Sequence, residues 1–206
     1  MERTLENLFK TLSRDEILEN YSSNTAFVAH NQLEDYKDLL DQPYLQSIES
    51  LFSSWPQLVT AYLPGISDEG NSVKVSTDEA KELFAQGRGL CFDDANRSVE
   101  TLEHWVQGLK WDLGLSALTQ CRSLIYAIKK GQGTAAHFDQ NINFVLQVSG
   151  TKKWWIAPNN HVENPLTRHT IGLDIDPELE SYTDEPMPES FPSTGEEFEL
   201  KPGSVL

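Results

Sequence analysis

The sequence predicts a mixed α/β frame over residues 1–120 followed by an antiparallel, mainly β core over 121–206, the whole forming one domain of 206 residues. Three observations predict it. Two capping boxes, Ser13-Arg14-Asp15-Glu16 and Ser76-Thr77-Asp78-Glu79, open helices in the first half, because the serine hydroxyl accepts a backbone N–H that the glutamate side chain reciprocates. Ile142, Phe144, Leu146 and Val148 alternate with Asn143, Val145 and Gln147, the period of a strand with one apolar face. The runs 121–129 and 152–156 are rich in β-branched or aromatic residues, and Gly131, Gly133 and Gly150 supply turns beside them.

In chain order, Leu5, Leu8, Phe9 and Leu12 recur at helical spacing, and the helix capped by Ser13 is predicted over about 14–20. Residues 25–30 read as a strand, with His30 at its end a structural or surface histidine. Two short amphipathic helices follow at 32–40 and 44–53, since Leu33, Tyr36, Leu39 and Leu40, then Ile48, Leu51 and Phe52, each share a face; Trp55-Pro56 ends them. Strands are predicted at 58–63 and 73–75, around a polar turn over 64–71. The second capping box opens a helix that stops at Gly87, a residue suited to the left-handed C-terminal position. Residues 89–92 enter the interior as a strand, and Asp93-Asp94 cap or solvate its end rather than binding metal. A helix over 98–111 buries Leu102, Trp105, Val106 and Leu109, with His104 beside that face and without a chemical role. Tyr126 reads as a core tyrosine, with a cosubstrate-facing role as the alternative. From 160 to 196 the composition turns to Pro, Asp, Glu, Ser and Thr, which predicts a long surface insertion.

Acidic residues outnumber basic ones by 32 to 16, a formal net charge of −16. Such a chain repels a phosphate backbone and carries no basic stripe, which excludes direct nucleic-acid binding and favours a basic substrate or partner. Cys91 and Cys121 both sit in apolar stretches and read as free thiols of a reducing compartment. No run resembles a signal peptide or reaches the ~20 apolar residues of a membrane span, so the expected location is cytoplasmic, with no membrane partner.

The chemistry lies in 133–155, GTAAHFDQNINFVLQVSGTKKWW. His137 and Asp139 stand two apart, so a strand presents both to one side, about 7 Å apart along the backbone. An imidazole and a carboxylate are two of the three ligands of a facial-triad non-haem iron site, and the third must come from elsewhere. Downstream, Lys152 enters a strand. A buried ammonium requires an anionic partner.

Taken together, this run resembles the JmjC (cupin-like) 2-oxoglutarate oxygenases, and most closely the protein hydroxylases among them. Four registers carry the resemblance: the His137-x-Asp139 pair, Lys152 thirteen residues after the aspartate and just past a glycine, Thr134 three residues before the histidine, and Asn143 four residues after the aspartate. It implies a double-stranded β-helix (jelly-roll) core. It further implies Fe(II) held by His137 and Asp139, and 2-oxoglutarate with its distal carboxylate on Lys152 and with Thr134 and Asn143 lining its pocket. The implied reaction is hydroxylation or demethylation of a protein or small-molecule substrate, a protein side chain being the first reading. A strand-Pro-Gly-strand phrase such as 198–206 precedes the distal histidine ligand in that family. The core is therefore expected to be C-terminally incomplete, with its third ligand beyond Leu206 and neither His161 nor His169 taking that place. A non-catalytic cupin-like barrel serving as a binding or scaffold protein is the alternative.

Overall fold

A computed structural model describes residues 4–23, 25–64, 69–183 and 185–206. Helices α1 (Thr4–Leu8) and α2 (Arg14–Ser22) form where the spacing and the cap predict them. The box at Ser13 is complete: its Oγ accepts from the Glu16 N–H at 3.3 Å, and Glu16 Oε2 accepts from the Ser13 N–H at 2.8 Å. Strand β1 is only Ala29–His30, shorter than the run over 25–30 that was expected. The two amphipathic helices are subdivided. A 3-10 turn, Leu33–Tyr36, leads into α3 (Lys37–Leu40), and α4 (Pro43–Gln46) is separated from α5 (Ile48–Ser54) by Ser47. The extended backbone of Ser47 (φ −159°) breaks the helix and lets its hydroxyl cap α5.

Next come β2 (Val59–Tyr62), β3 (Ser72–Val75), α6 (Thr77–Ala85), β4 (Leu90–Phe92), α7 (Glu100–Asp112) and β5 (Ile125–Ala127). The polar turn predicted over 64–71 lies partly outside the described residues. The strands form one antiparallel sheet in the order β3-β2-β4-β5. Its core face buries Val59, Ala61, Leu90 and Phe92 against Leu51, Trp55 and Ala80. On its other face one rung runs Lys74, Thr60, Cys91, Tyr126. Asp93 joins that face, accepting from Thr60 Oγ1 at 2.5 Å and pairing with Lys74, while Asp94 makes no side-chain cap and lies 3.5 Å from Arg97; the pair forms cross-strand and local ion pairs rather than the cap that was expected. Tyr126 is half exposed and not the core residue it was read as, although Cys91 and Thr60 on the same rung are buried. Both cysteines are free, Cys91 buried and Cys121 half-buried.

A second apolar cluster joins the two ends of the chain. Leu5, Leu8, Phe9, Ile17, Ala29 and Tyr36 pack with Val205, and Phe144 and Leu146 lie against them. Val205 belongs to β10 (Ser204–Val205), which pairs antiparallel with β1 on one side and on the other exchanges Val145 N–H···O Leu206 (2.8 Å) and Leu206 N–H···O Val145 (3.0 Å). The alternating run over 142–148, read as a strand, forms only an isolated bridge at Leu146 to Val205, with its backbone partners at 203–206. Ile142, outside this pairing, is exposed.

The remaining strands are two antiparallel pairs, β6 (His137–Phe138) with β8 (His169–Thr170) and β7 (Lys152–Ile156) with β9 (Glu196–Leu200); α8 (Pro177–Glu180) lies between β8 and β9 in sequence. Two expectations are corrected here. The stretch 160–196 is not merely a surface insertion, since it contributes β8 and buries Val162, His169, Thr170 and Leu179; its polar average conceals anchors at isolated positions. The chain is mixed α/β rather than mainly β, with more residues in helices than in strands. Among the described residues its backbone hydrogen bonds do not join β6–β8 and β7–β9 into one sheet. No described helix is long and apolar enough to cross a membrane.

The turn into β10 depends on Gly203, at φ +91°, where a Cβ would lie 2.4 Å from the Asn31 carbonyl oxygen and 2.8 Å from the Leu33 nitrogen. Gly131 has a similar φ of +83° but open space around it. Urea unfolding should therefore show Gly203→Ala losing at least about 2 kcal/mol, from backbone strain plus collision with main-chain atoms. Gly131→Ala should lose only about 1 kcal/mol, from the left-handed backbone alone. Equal losses would mean that the contact at Gly203 does not constrain the fold.

Candidate metal centre

The register of β6 against β8 builds the site. His137 faces Thr170, and Phe138 faces His169. In an antiparallel pair, opposed residues share a face and successive residues alternate. His137 and Thr170 therefore lie on one side, while Phe138 and His169 lie on the other, where their rings stand 5.9 Å apart. Asp139 returns to the His137 side and Arg168 to the Thr170 side, and these two meet.

On that side each potential ligand is held by one atom and presents another. His137 Nδ1 lies 2.7 Å from the Ala135 carbonyl oxygen. A carbonyl only accepts, so this contact places the proton on Nδ1 and leaves the Nε2 lone pair available. Asp139 Oδ1 accepts from Arg168 Nη1 at 3.0 Å, while Oδ2 faces His137 Nε2 at 3.7 Å. All three side chains are mostly buried. A neutral imidazole nitrogen and a carboxylate oxygen converging at this distance suit one divalent ion after a small side-chain adjustment, and the contacts behind them are the outer-shell partners such ligands ordinarily have.

Among the described residues no group of three His, Cys, Asp or Glu side chains is placed to hold a metal. The register accounts for His169, which is buried and turned to the opposite face. His161 is half-buried with its Nδ1 buried and unpaired, and it joins no such group.

Lys152 shares a face of β7 with Trp154, and its ammonium lies 4.4 Å from the centroid of that indole. Its neighbour Lys153 points outward and pairs with Glu197 at 2.6 Å. Among the described residues Lys152 has no anionic partner, and burial holds its pKa below the ordinary lysine value of 10.5. Among the described residues the buried Trp154 Nε1 has no acceptor. An unspent ammonium and an unspent indole N–H on one strand face are donors suited to a carboxylate. Thr134 lies exposed in the loop leading into β6. Asn143 is also exposed, and its Oδ1 accepts from Asn141 at 3.2 Å. No hydrogen bond among the described residues ties either of them to His137, Asp139 or Lys152. Sequence reasoning missed Arg168 and the Trp154 N–H. Arg168 stands in a stretch whose composition read as surface, and only its cross-strand register brings it to Asp139.

These residues lie within a recognised segment. Residues 110–206 match the JmjC domain family. That family is cupin-like and generally comprises 2-oxoglutarate-dependent oxygenases. The whole chain is also similar to an uncharacterized protein, YxbC, of Bacillus subtilis (strain 168), with 28% identity over 212 residues that cover 100% of this chain and 64% of the relative. The chain thus spans 64% of the length of that curated relative. The matched JmjC segment contains β5 to β10 and every residue of the site.

A lysine buried without an anion costs stability, so Lys152→Met should raise the stability of the ligand-free chain by about 1 kcal/mol in urea unfolding. The sign of the pH dependence follows. The folded chain loses the Lys152 proton at lower pH than the unfolded chain, so wild-type stability should rise as pH climbs from the lowered value towards 10.5, and Lys152→Met should lack that rise. A less stable Lys152→Met variant would place an undetected anionic group at this position.

Proposed function

We propose that this chain carries the metal- and cosubstrate-binding part of an Fe(II)- and 2-oxoglutarate-dependent oxygenase that hydroxylates a protein side chain. The observation that carries the reading is the convergence of His137 Nε2 and Asp139 Oδ2, each backed by a contact that leaves that atom available. Fe(II) at this pair, with 2-oxoglutarate as the co-reductant and O₂ as the oxidant, would supply the oxidising chemistry. The chain's own contribution is placement. Ala135 fixes the His137 tautomer, and the β6–β8 register holds imidazole and carboxylate side by side. Lys152, with the Trp154 N–H, offers a desolvated seat for the distal carboxylate, and the indole excludes water from the ammonium. Thr134 and Asn143 are proposed to line the cosubstrate pocket and add hydrogen bonds to the cosubstrate. The formal charge of −16 supports a basic polypeptide as substrate.

The two-member ligand set among the described residues favours a second reading, a cupin-like barrel that binds a carboxylate ligand without turnover. Anaerobic titration with Fe(II) and 2-oxoglutarate separates the two. The first reading expects visible charge-transfer absorption from the joint complex, lost in His137→Ala and Asp139→Ala. It expects Lys152→Ala to weaken 2-oxoglutarate by about 2–5 kcal/mol while sparing metal. Carboxylate binding that is indifferent to Fe(II), His137 and Asp139 would support the second reading and overturn the first.

A further inference from the structure

The function proposed above uses Arg168 only as a contact behind Asp139 and assigns it no role of its own. Its side chain is 16% exposed, and on the site face Nη1 donates to Asp139 Oδ1 at 3.0 Å and Nε to the hydroxyl of buried Thr170 at 3.4 Å. A carboxylate rotates freely about its last bond unless one oxygen is engaged. Here Oδ1 is engaged, and Oδ2 is the oxygen turned towards His137 Nε2. Without Arg168 the carboxylate loses the contact that engages Oδ1 and is free to turn about its last bond, so neither oxygen is selected to face His137 Nε2.

We infer that Arg168 is the positioning residue of this centre, holding Asp139 so that a single oxygen faces the ion. The inference rests on the metal-centre reading. A competing role is that of a cation occupying the site until a metal displaces it. Two features oppose that role. The guanidinium sits on the oxygen that faces away from His137, and Thr170 anchors it in place. Its positive charge disfavours a second cation nearby, so orientation and repulsion act in opposite directions, and the effect of removing Arg168 on metal affinity reports which dominates.

The test uses Mn(II) alone, with affinity read from paramagnetic broadening of the ring-proton NMR signals of the chain, a method suited to weak sites. Arg168→Gln removes the charge and keeps an N–H donor, and it should weaken Mn(II) binding about tenfold or more, within the 10–100-fold usual for outer-shell partners. Arg168→Lys keeps the charge but lacks the planar fork, and it should fall between Arg168→Gln and the wild type. Unchanged affinity in Arg168→Gln overturns the inference, and tighter binding overturns it in favour of the competing occupant. Asp139→Asn, titrated alongside, should weaken binding and then be insensitive to a second Arg168→Gln change; additive losses would mean that Arg168 acts elsewhere. If His137→Ala leaves Mn(II) binding untouched, the metal-centre reading fails and the inference with it. A loss in His137→Ala with none in Arg168→Gln sinks the inference alone.

Discussion

The antiparallel register of β6 against β8 is the constraint on which the site depends. Because the side-chain period of a strand is two, slipping this pair by one residue would exchange faces. His169 would then stand beside the His137–Asp139 pair and Arg168 would leave it. The observed pairing, Phe138 opposite His169, puts two aromatic rings together on the far side and reserves the near side for His137, Asp139, Arg168 and Thr170. With only two named pairs in this ladder, the ring contact and the burial of His169 and Thr170 do much of what a longer ladder would do by hydrogen bonding. One register thus decides both which histidine is available to a metal and which cation stands behind the carboxylate.

A comparable economy governs the rest of the JmjC segment. β10 lies between β1 and residues 145–147, so a two-residue strand ties the first helices, the alternating run after the HxD pair and the C-terminal turn into one apolar cluster. Gly203 permits the approach because it lacks a Cβ, and Phe144 and Leu146 bring apolar surface to the same cluster. Asp139 and the pairing at Val145 are only six residues apart in sequence, so the short connection between them couples the candidate ligand to the packed interior.

The parts legible in the sequence were those set by local chemistry. Capping boxes at Ser13 and Ser76, the left-handed Gly87 and the strand at Lys152 each follow from interactions within a few residues, and each appears where it was read. The pairing of His137 with Asp139 was legible for the same reason, since i and i+2 share a strand face. What was not legible depends on partners distant in the chain. Nothing in 142–148 names 204–206 as its neighbour, and Arg168 is 29 residues from Asp139. The composition of 160–196 pointed outward because polar residues outnumber its anchors. Tyr126 read as buried because its neighbours are apolar, whereas it is half exposed.

The electrostatics of the site run against those of the molecule. A chain with a formal charge of −16 repels a small dianion at long range, yet the two side chains that would meet carboxylate groups, Lys152 and Arg168, are cations set in partly or mostly buried positions. Over distances beyond a Debye length of about 8 Å, salt screens the repulsion of exposed charges, whereas a desolvated ammonium acts at contact and is screened far less. Capture of an anion must therefore rest on short-range, water-excluded donors rather than on the field of the whole protein. That explains why leaving Lys152 unpaired is tolerated: burial costs the empty chain some stability, and the same burial removes the water that would compete for the ammonium when a carboxylate arrives.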